Sequence, residues 1–180
     1  MISSTLKKWI GLPITCENPK TIFVGLIGGV GDLLAAAPSV AALKRKYPKA
    51  KLTFGVGDGI FFSTIKNDPN IDHFETPFSY NVWKKRYHRK TYREKYKEHD
   101  LVFLLDNGNR DWWKPQKHLL DIYAEKCGVT LEQRRPLIYL DDNDIQEAQN
   151  KLNELGISKN DKLMILSPET RSKKEMKEWP

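Results

Sequence analysis

The sequence predicts an α/β fold, built on a mainly parallel sheet that is covered by helices on both faces. Short apolar runs rich in β-branched and aromatic residues alternate along the chain with longer segments that have helical character. Several of these runs are apolar without interruption, as is typical of strands buried on both faces of a parallel sheet. Strands that alternate with helices favour crossover connections within one parallel sheet.

The first half of the chain contains three predicted strands and two predicted helices. Residues 21–27 (TIFVGLI) form a buried strand that a glycine turn follows. Asp32 is then placed at the N-cap of a helix over 33–47, in which Pro38 either produces a kink or marks the effective start. The remaining predicted elements of this half are two strands and a short helix, at 51–56, 71–76 and 60–66.

The second half of the chain begins with the clearest buried strand, residues 100–106 (DLVFLLD). A helix over 117–127 follows and is stopped by Gly128. His118 at its start is interpreted as a capping or packing residue rather than a catalytic one. The remaining predictions are two strands and an amphipathic helix, at 136–140, 162–167 and 142–155.

Length and composition limit the class of protein. A chain of 180 residues, 39% of them hydrophobic, can bury a core of about one domain, which excludes a wholly disordered protein. The two cysteines make neither a disulfide framework nor a zinc cluster, and no histidines have metal-ligand spacing. We therefore expect no metal site.

The net charge of +7 comes from one segment, residues 84–97 (KKRYHRKTYREKYK), because basic and acidic residues balance elsewhere. Such a cluster indicates a partner that carries phosphate or other negative charge. Three interpretations stay open: contact with an anionic acceptor or membrane, an ordinary solvated surface, and nucleic acid. Since no nucleic-acid-binding module surrounds the segment, we expect no nucleic-acid partner.

The glycine turn at 28–31 lies between a strand and a helix, where glycines allow a ligand to approach the backbone. It lacks the Gly-Lys-Ser/Thr ending of a phosphate-binding P-loop. A dinucleotide-binding fingerprint would need a third glycine or alanine at Leu34. The turn therefore keeps a nicotinamide- or flavin-binding site open only as an alternative.

Asp32 argues against a phosphate ligand at this turn. A carboxylate at a helix N-terminus satisfies the donors that would bind an anion, and it would repel a pyrophosphate. The site is better suited to an uncharged hydroxyl, with Asp32 as hydrogen-bond acceptor or general base. From chemistry alone, Asp32 can equally be a simple helix cap worth about 1 kcal/mol.

The run over 22–48 resembles the opening of the ADP-heptose:lipopolysaccharide heptosyltransferases, glycosyltransferase family 9. Those proteins begin with a strand, a G-G-x-G-D turn and a helix with a small residue before a proline, followed by A-L-K and Y-P. Four later stretches resemble the family in the same order: KLTFGVGDGIFFSTIKNDPNID, HLLDIYAEKCGV, RPLIYLDDNDIQEAQNKLNELGI and LMILSPETRSKKEMKEWP. The resemblance covers residues 21–180.

The resemblance implies a GT-B fold, two Rossmann-like domains with a cleft between them, and transfer of heptose from ADP-heptose to the lipopolysaccharide core. It implies that Asp32 is the catalytic base for the acceptor hydroxyl, and that the turn glycines lie in the acceptor-binding region. Thr170 and Lys177 match the motif that contacts the donor diphosphate, although the acidic Glu169 departs from it. The turn glycines placed in the acceptor-binding region are Gly28, Gly29 and Gly31.

The resemblance also implies a division of the chain and an incomplete enzyme. We expect an N-terminal extension over 1–20, a Rossmann-like acceptor-side domain over 21–157, and the truncated start of a donor-binding domain over 158–180. The donor-binding half would then be missing, or be supplied by another chain. No cofactor is expected, since the nucleotide sugar, ADP-heptose, is a substrate.

The expected acceptor is a lipid-linked anionic saccharide at the cytoplasmic face of the inner membrane, with peripheral contact to anionic lipid. Acceptor binding would use four residues of the basic segment, namely Lys84, Lys85, Arg86 and Arg89. Residues 21–43 are long enough to span a bilayer, but a central carboxylate costs about 2.5–3.5 kcal/mol there. The alternatives are a non-catalytic domain that binds an anionic glycolipid and a nicotinamide-dependent oxidoreductase.

Overall fold

In a computed structural model of the chain, the structure describes residues 16–26, 28–57, 59–76, 96–105 and 117–166. The chain divides into two compact units, Met1–Tyr139 and Leu140–Pro180. The domain boundaries expected at residues 20 and 157 stay predictions. None of the helices in these described ranges combines the length and the hydropathy needed to cross a membrane.

The first unit contains a parallel sheet of four strands. They are β1 (Thr21–Leu26), β2 (Lys51–Val56), β3 (His73–Glu75) and β4 (Leu101–Leu105). The strand order is β3-β2-β1-β4, so β1 lies inside the sheet. It pairs with β2 from Thr21 opposite Lys51, and with β4 from Ile22 opposite Leu101. The predicted parallel α/β sheet with flanking helices is confirmed, while helices on both of its faces stay a prediction.

Two α-helices and a 3₁₀ helix accompany the sheet: α1 (Val30–Lys46), α2 (Leu119–Cys127) and the 3₁₀ helix (Gly59–Thr64). α1 starts earlier than predicted, because Gly29 and not Asp32 is its N-cap. The helix is unbroken through Pro38, which lacks the N–H that would bond the carbonyl of Leu34. That carbonyl instead accepts the N–H of Leu137 at 3.4 Å, so the freed group is satisfied.

The core lies on the face of the sheet that carries α1 and α2. Alternate side chains of the strands point to this face, among them Ile22, Val24 and Leu26 of β1, all fully buried. From the helices, Leu33 and Val40 of α1 pack into the same cluster, together with three residues of α2. These three are Leu120, Tyr123 and Cys127.

The other face of the sheet is covered by Tyr96. Its ring stacks on Phe23 with centroids 3.8 Å apart, and its hydroxyl donates to Glu75 at 2.5 Å. Tyr96 belongs to the basic segment and is buried, so it cannot stack on a nucleobase. The rest of that segment up to residue 95 lies outside the described residues.

The ends of α2 agree with the sequence. His118 is the N-cap, and its Nδ1 accepts the N–H of Leu120 at 3.3 Å, which confirms the capping role. Gly128 ends the helix with φ 62°, a left-handed conformation that glycine adopts without strain. α2 is thereby held in a defined position against α1.

The second unit contains the helix α3 (Asp142–Glu154). Asp141 caps it and accepts the N–H of Asp144 at 2.7 Å, while the carboxylate of Asp144 accepts the N–H of Asp141 at 3.2 Å. The predicted apolar stripe is present in sequence but unburied, with Ile145 55% and Leu155 64% exposed.

The strands predicted at 136–140 and 162–167 are wrong over the described residues. Neither segment is assigned as a strand, and the apolar residues 163–166 are more than half exposed. Apolar, β-branched residues supply strand propensity, but a strand also needs a neighbour for its N–H and C=O groups. Within the described part of the chain, no strand lies beside either segment.

Asp100 fastens the start of β1 to the start of β4, and its loss should be visible as a change in pH dependence. Its Oδ2 accepts the N–H of Lys20 at 2.7 Å and of Thr21 at 3.0 Å, and these bonds lower the pKa of the carboxyl group. A carboxyl group whose pKa is lowered by folding stabilises the fold at pH values above its ordinary pKa of 3.8. This stabilisation is lost as the pH falls through the pKa of the folded state.

We expect Asp100→Asn to lower the free energy of unfolding by about 1 kcal/mol at pH 7. The difference from the wild type should shrink steadily on acidification below about pH 4, once the wild-type carboxyl is protonated. Urea unfolding of both proteins at pH 7 and at pH 3 measures this difference in the free energy of unfolding. An equal difference in the free energy of unfolding at both pH values would show that the charge of Asp100 does not contribute to these hydrogen bonds.

Candidate active site at the glycine turn

The glycine turn follows the carboxyl end of β1, which is an inner strand of the sheet. β1 ends at Leu26 and α1 starts at Val30, so Gly28 and Gly29 connect the strand to the helix. Ligands of open parallel α/β sheets bind at the carboxyl ends of the strands. The fold therefore brings the predicted glycines and Asp32 to the edge of the sheet where a ligand is expected.

The carboxylate of Asp32 is held by two hydrogen-bond donors, one on each oxygen. Oδ2 accepts the N–H of Gly29 at 2.8 Å, which is the side-chain half of a capping box. Oδ1 accepts the hydroxyl of Tyr123 at 3.3 Å. Asp32 is half-buried, so the carboxylate is fixed in orientation and still reachable from solvent.

Gly28 is explained by its contact with Asp32. A Cβ atom at residue 28 would lie 2.4 Å from both Cβ and Oδ2 of Asp32, well inside van der Waals distance. Only glycine allows the turn and the first turn of α1 to approach this closely. The predicted role of Gly28 in acceptor binding stays a prediction, but its structural role is to make room for Asp32.

Gly29 and Gly31 differ from Gly28, because a Cβ atom at either position would meet no described atom within 4 Å. Gly29 has φ −88°, a conformation open to any residue. In a helix, glycine is less favourable than alanine by about 0.5–1 kcal/mol, so Gly31 carries a cost that no packing contact explains. The two glycines leave the backbone beside Asp32 open to a ligand.

The electrostatics of the turn disfavour a phosphate. The N-terminus of α1 would attract an anion, but the carboxylate of Asp32 already occupies the N–H of Gly29. A second negative charge would meet this carboxylate at close range. An uncharged hydroxyl group can instead donate to a free lone pair of Asp32, so the arrangement is suited to proton abstraction.

Tyr123 is a site residue that was not singled out in the sequence. It lies 91 residues after Asp32, on α2, and its ring belongs to the core. A signal was present: Leu120, Tyr123 and Cys127 form one apolar stripe, and a tyrosine in a buried stripe needs a partner for its hydroxyl. The sequence does not indicate which residue that partner is.

The buried carboxyl group of Asp68 lies before β3, at the opposite end of the sheet. Burial raises its pKa, while the backbone and side-chain N–H groups of Asn70 lower it. Both bonds go to Oδ1, at 2.9 and 2.8 Å, and Asn70 also donates to the hydroxyl of Tyr139 at 3.1 Å. The group ties a turn to residue 139 and is distant from the glycine turn along the strands.

The remaining predicted site residues cannot be placed, since they lie outside the described residues. They are Lys84, Lys85, Arg86, Arg89, Thr170 and Lys177. Among the described residues, no group of three or more His, Cys, Asp or Glu side chains could hold a metal ion.

Comparison with known proteins gives matches among solved structures only. No family model and no curated protein sequence matches the chain. The structure of a glycosyl transferase of family 9 from Veillonella parvula aligns with 81% of this chain at 18% identity and a TM-score of 0.56. The ADP-heptose lps heptosyltransferase II of E. coli aligns with 77% at 12% identity and a TM-score of 0.48.

The chain spans about half the length of these proteins, 52% of the first and 51% of the second. The Veillonella likeness shows that this chain has the fold of half of a family 9 glycosyl transferase. The α/β fold predicted for this half of the enzyme is therefore confirmed, and the second domain of the GT-B fold stays a prediction.

Proposed function

We propose that the chain is the acceptor-side half of a family 9 glycosyltransferase that acts in lipopolysaccharide or cell-envelope polysaccharide synthesis. The observation that carries this proposal is the carboxylate of Asp32, which is half-buried at the carboxyl end of β1 and held at both oxygens. The shared fold with the Veillonella protein and the five sequence motifs support the same family.

The proposed reaction is an inverting, metal-independent sugar transfer with Asp32 as general base. A hydroxyl of the acceptor gives its proton to the Asp32 carboxylate as its oxygen attacks the anomeric carbon of the donor sugar. The new C–O bond forms as the bond from that carbon to the diphosphate breaks, and ADP leaves with the electron pair. The two donors to Asp32 keep the carboxylate oriented, which favours a near-attack arrangement.

The donor is proposed to be a nucleotide sugar, ADP-heptose in the family that the sequence resembles. Thr170 and Lys177 would contact its diphosphate, where a cation stabilises the charge on departing ADP. The chain spans about half of the structures it matches, so a donor-binding half is proposed to come from polypeptide outside these 180 residues, in the same or another chain.

The acceptor is proposed to be a lipid-linked anionic saccharide at the cytoplasmic face of the inner membrane. The basic segment at 84–97 supports this proposal, because each Lys or Arg near an anionic surface contributes about 1 kcal/mol of attraction. Contact with the membrane would then be peripheral. The four basic residues at 84, 85, 86 and 89 are the proposed contacts.

A transfer assay tests the proposed function. The complete polypeptide that contains these residues, or the chain combined with its donor-binding partner, is incubated with labelled ADP-heptose and lipopolysaccharide from a heptose-deficient strain. We expect label in the lipopolysaccharide only when protein, donor and acceptor are all present. Acceptor binding without transfer would instead support the glycolipid-binding alternative, and tight NADH binding by the chain would support the oxidoreductase.

A further inference from the structure

We infer that Tyr123 is a positioning residue for Asp32, through the bond from its hydroxyl to Oδ1. The inference deepens the proposed function and rests on it where catalysis is concerned. The contact joins α2 to the first turn of α1, across 91 residues of sequence, at a distance of 3.3 Å. No sequence motif identified a second residue that acts on the carboxylate.

The geometry shows what the hydroxyl adds. The backbone N–H of Gly29 holds Oδ2. With this hydrogen bond alone, the carboxylate could still pivot about Oδ2. A donor on Oδ1 removes that freedom, because both oxygens are then fixed. An ionised carboxylate has about four lone-pair sites, so two donors leave room for an incoming hydroxyl.

Packing alone does not account for a tyrosine at this position. The side chain of Tyr123 is fully buried in the core cluster, where a phenylalanine ring would occupy nearly the same volume. A buried hydroxyl is destabilising unless it is hydrogen-bonded. The bond to Asp32 contributes to offsetting that cost, and a phenylalanine at this position could not make it.

The position of Tyr123 is fixed by the helix that carries it. α2 is capped by His118 at its start and closed by Gly128 at its end, and Tyr123 lies between them. α2 packs against α1 over the same core cluster. The donor is therefore carried by a rigid element, as a positioning group requires.

The variant Tyr123→Phe tests the inference, with Tyr139→Phe as the matched control. Tyr139 lies in the same unit, and its hydroxyl contacts Asn70, away from Asp32. The first measurement needs no activity: hydrogen exchange of the Gly29 amide, read by NMR on the 180-residue chain. Loss of one bond worth about 1 kcal/mol should speed this exchange about 5-fold in Tyr123→Phe. The Leu33 amide, bonded to the Gly29 carbonyl at 3.1 Å, should not change.

The second measurement is the steady-state transfer rate of the complete enzyme, with kcat and KM determined separately. Tyr123→Phe should lower kcat about 5- to 30-fold with little change in KM. Tyr139→Phe should match the wild type in both measurements.

Unchanged Gly29 exchange in Tyr123→Phe would overturn the inference, whatever the activity. A 5-fold faster Gly29 exchange together with transfer that does not depend on Asp32 would keep the contact but reject the proposed function. Equal acceleration of the Gly29 and Leu33 amides would show general loosening of the helix and would also overturn a positioning role.

Discussion

Replacing Asp32 with asparagine is expected to lower kcat of the complete enzyme by about 10²–10⁴-fold, with KM for the acceptor changed little. The amide is nearly the same size as the carboxylate, and its oxygen can still accept the N–H of Gly29. It cannot take the proton of an acceptor hydroxyl. The loss should therefore fall on the chemical step and not on the fold, as steady-state kinetics and urea unfolding together would show.

The chain offers a matched control for this substitution. Asp144 has the same local role in α3 as Asp32 has in α1, since its carboxylate accepts the N–H of the N-cap residue, Asp141. Asp144→Asn should weaken a helix cap comparably and leave transfer unchanged. Equal kinetic losses in the two variants would mean that Asp32 matters only as a cap.

Gly28→Ala is the second variant with a large expected effect. The new methyl group would lie 2.4 Å from the Cβ of Asp32, an atom that the helix backbone fixes and that no rotamer change can move. The first turn of α1 must shift, so we expect the free energy of unfolding to fall by about 1–3 kcal/mol. The displaced carboxylate should also lower kcat at least 10-fold, since small misplacements cost about 10²-fold.

Gly31→Ala is the stability control for Gly28→Ala. A Cβ atom at Gly31 meets nothing within 4 Å, and alanine is the better helix residue by about 0.5–1 kcal/mol. We expect this variant to unfold at a higher urea concentration than the wild type. If Gly28→Ala were as stable as Gly31→Ala and kept its kcat, the close approach to Asp32 would have no functional consequence.

Most of the sheet could be predicted from the sequence, because its strands are local apolar runs. Those at 21–27, 51–56 and 100–106 were predicted within one residue of the observed bounds. The predicted site followed from the same reasoning, since the carboxyl end of a parallel strand is where a turn can present Asp32.

The exact role of Asp32 in the helix could not be settled from residue type. Aspartate is favoured at the N-cap and also within the first turn of a helix. Which of the two roles Asp32 has depends on whether Gly29 or Asp32 takes the extended backbone angles of an N-cap. Local propensity hardly distinguishes these two possibilities. Pro38 posed a similar problem, because the partner of the freed Leu34 carbonyl, Leu137, is about 100 residues away.

The two wrong strands failed for a non-local reason. Residues 136–140 and 162–167 have strand-like composition, but within the described residues neither segment is hydrogen-bonded to a strand of the sheet. Tyr123 illustrates the same limit at the site. Its burial follows from the helical pattern, whereas its partner is set by how α1 and α2 pack.

The strand order β3-β2-β1-β4 has a consequence for how the protein is made. β1 leaves the ribosome first and can pair with β2 early, but its other neighbour, β4, is about 80 residues further along the chain. At about 5–20 residues per second, the second edge of β1 stays open for roughly 4–16 s of synthesis. A nascent chain paused before residue 105 would therefore expose one edge of β1, the kind of surface on which chains aggregate.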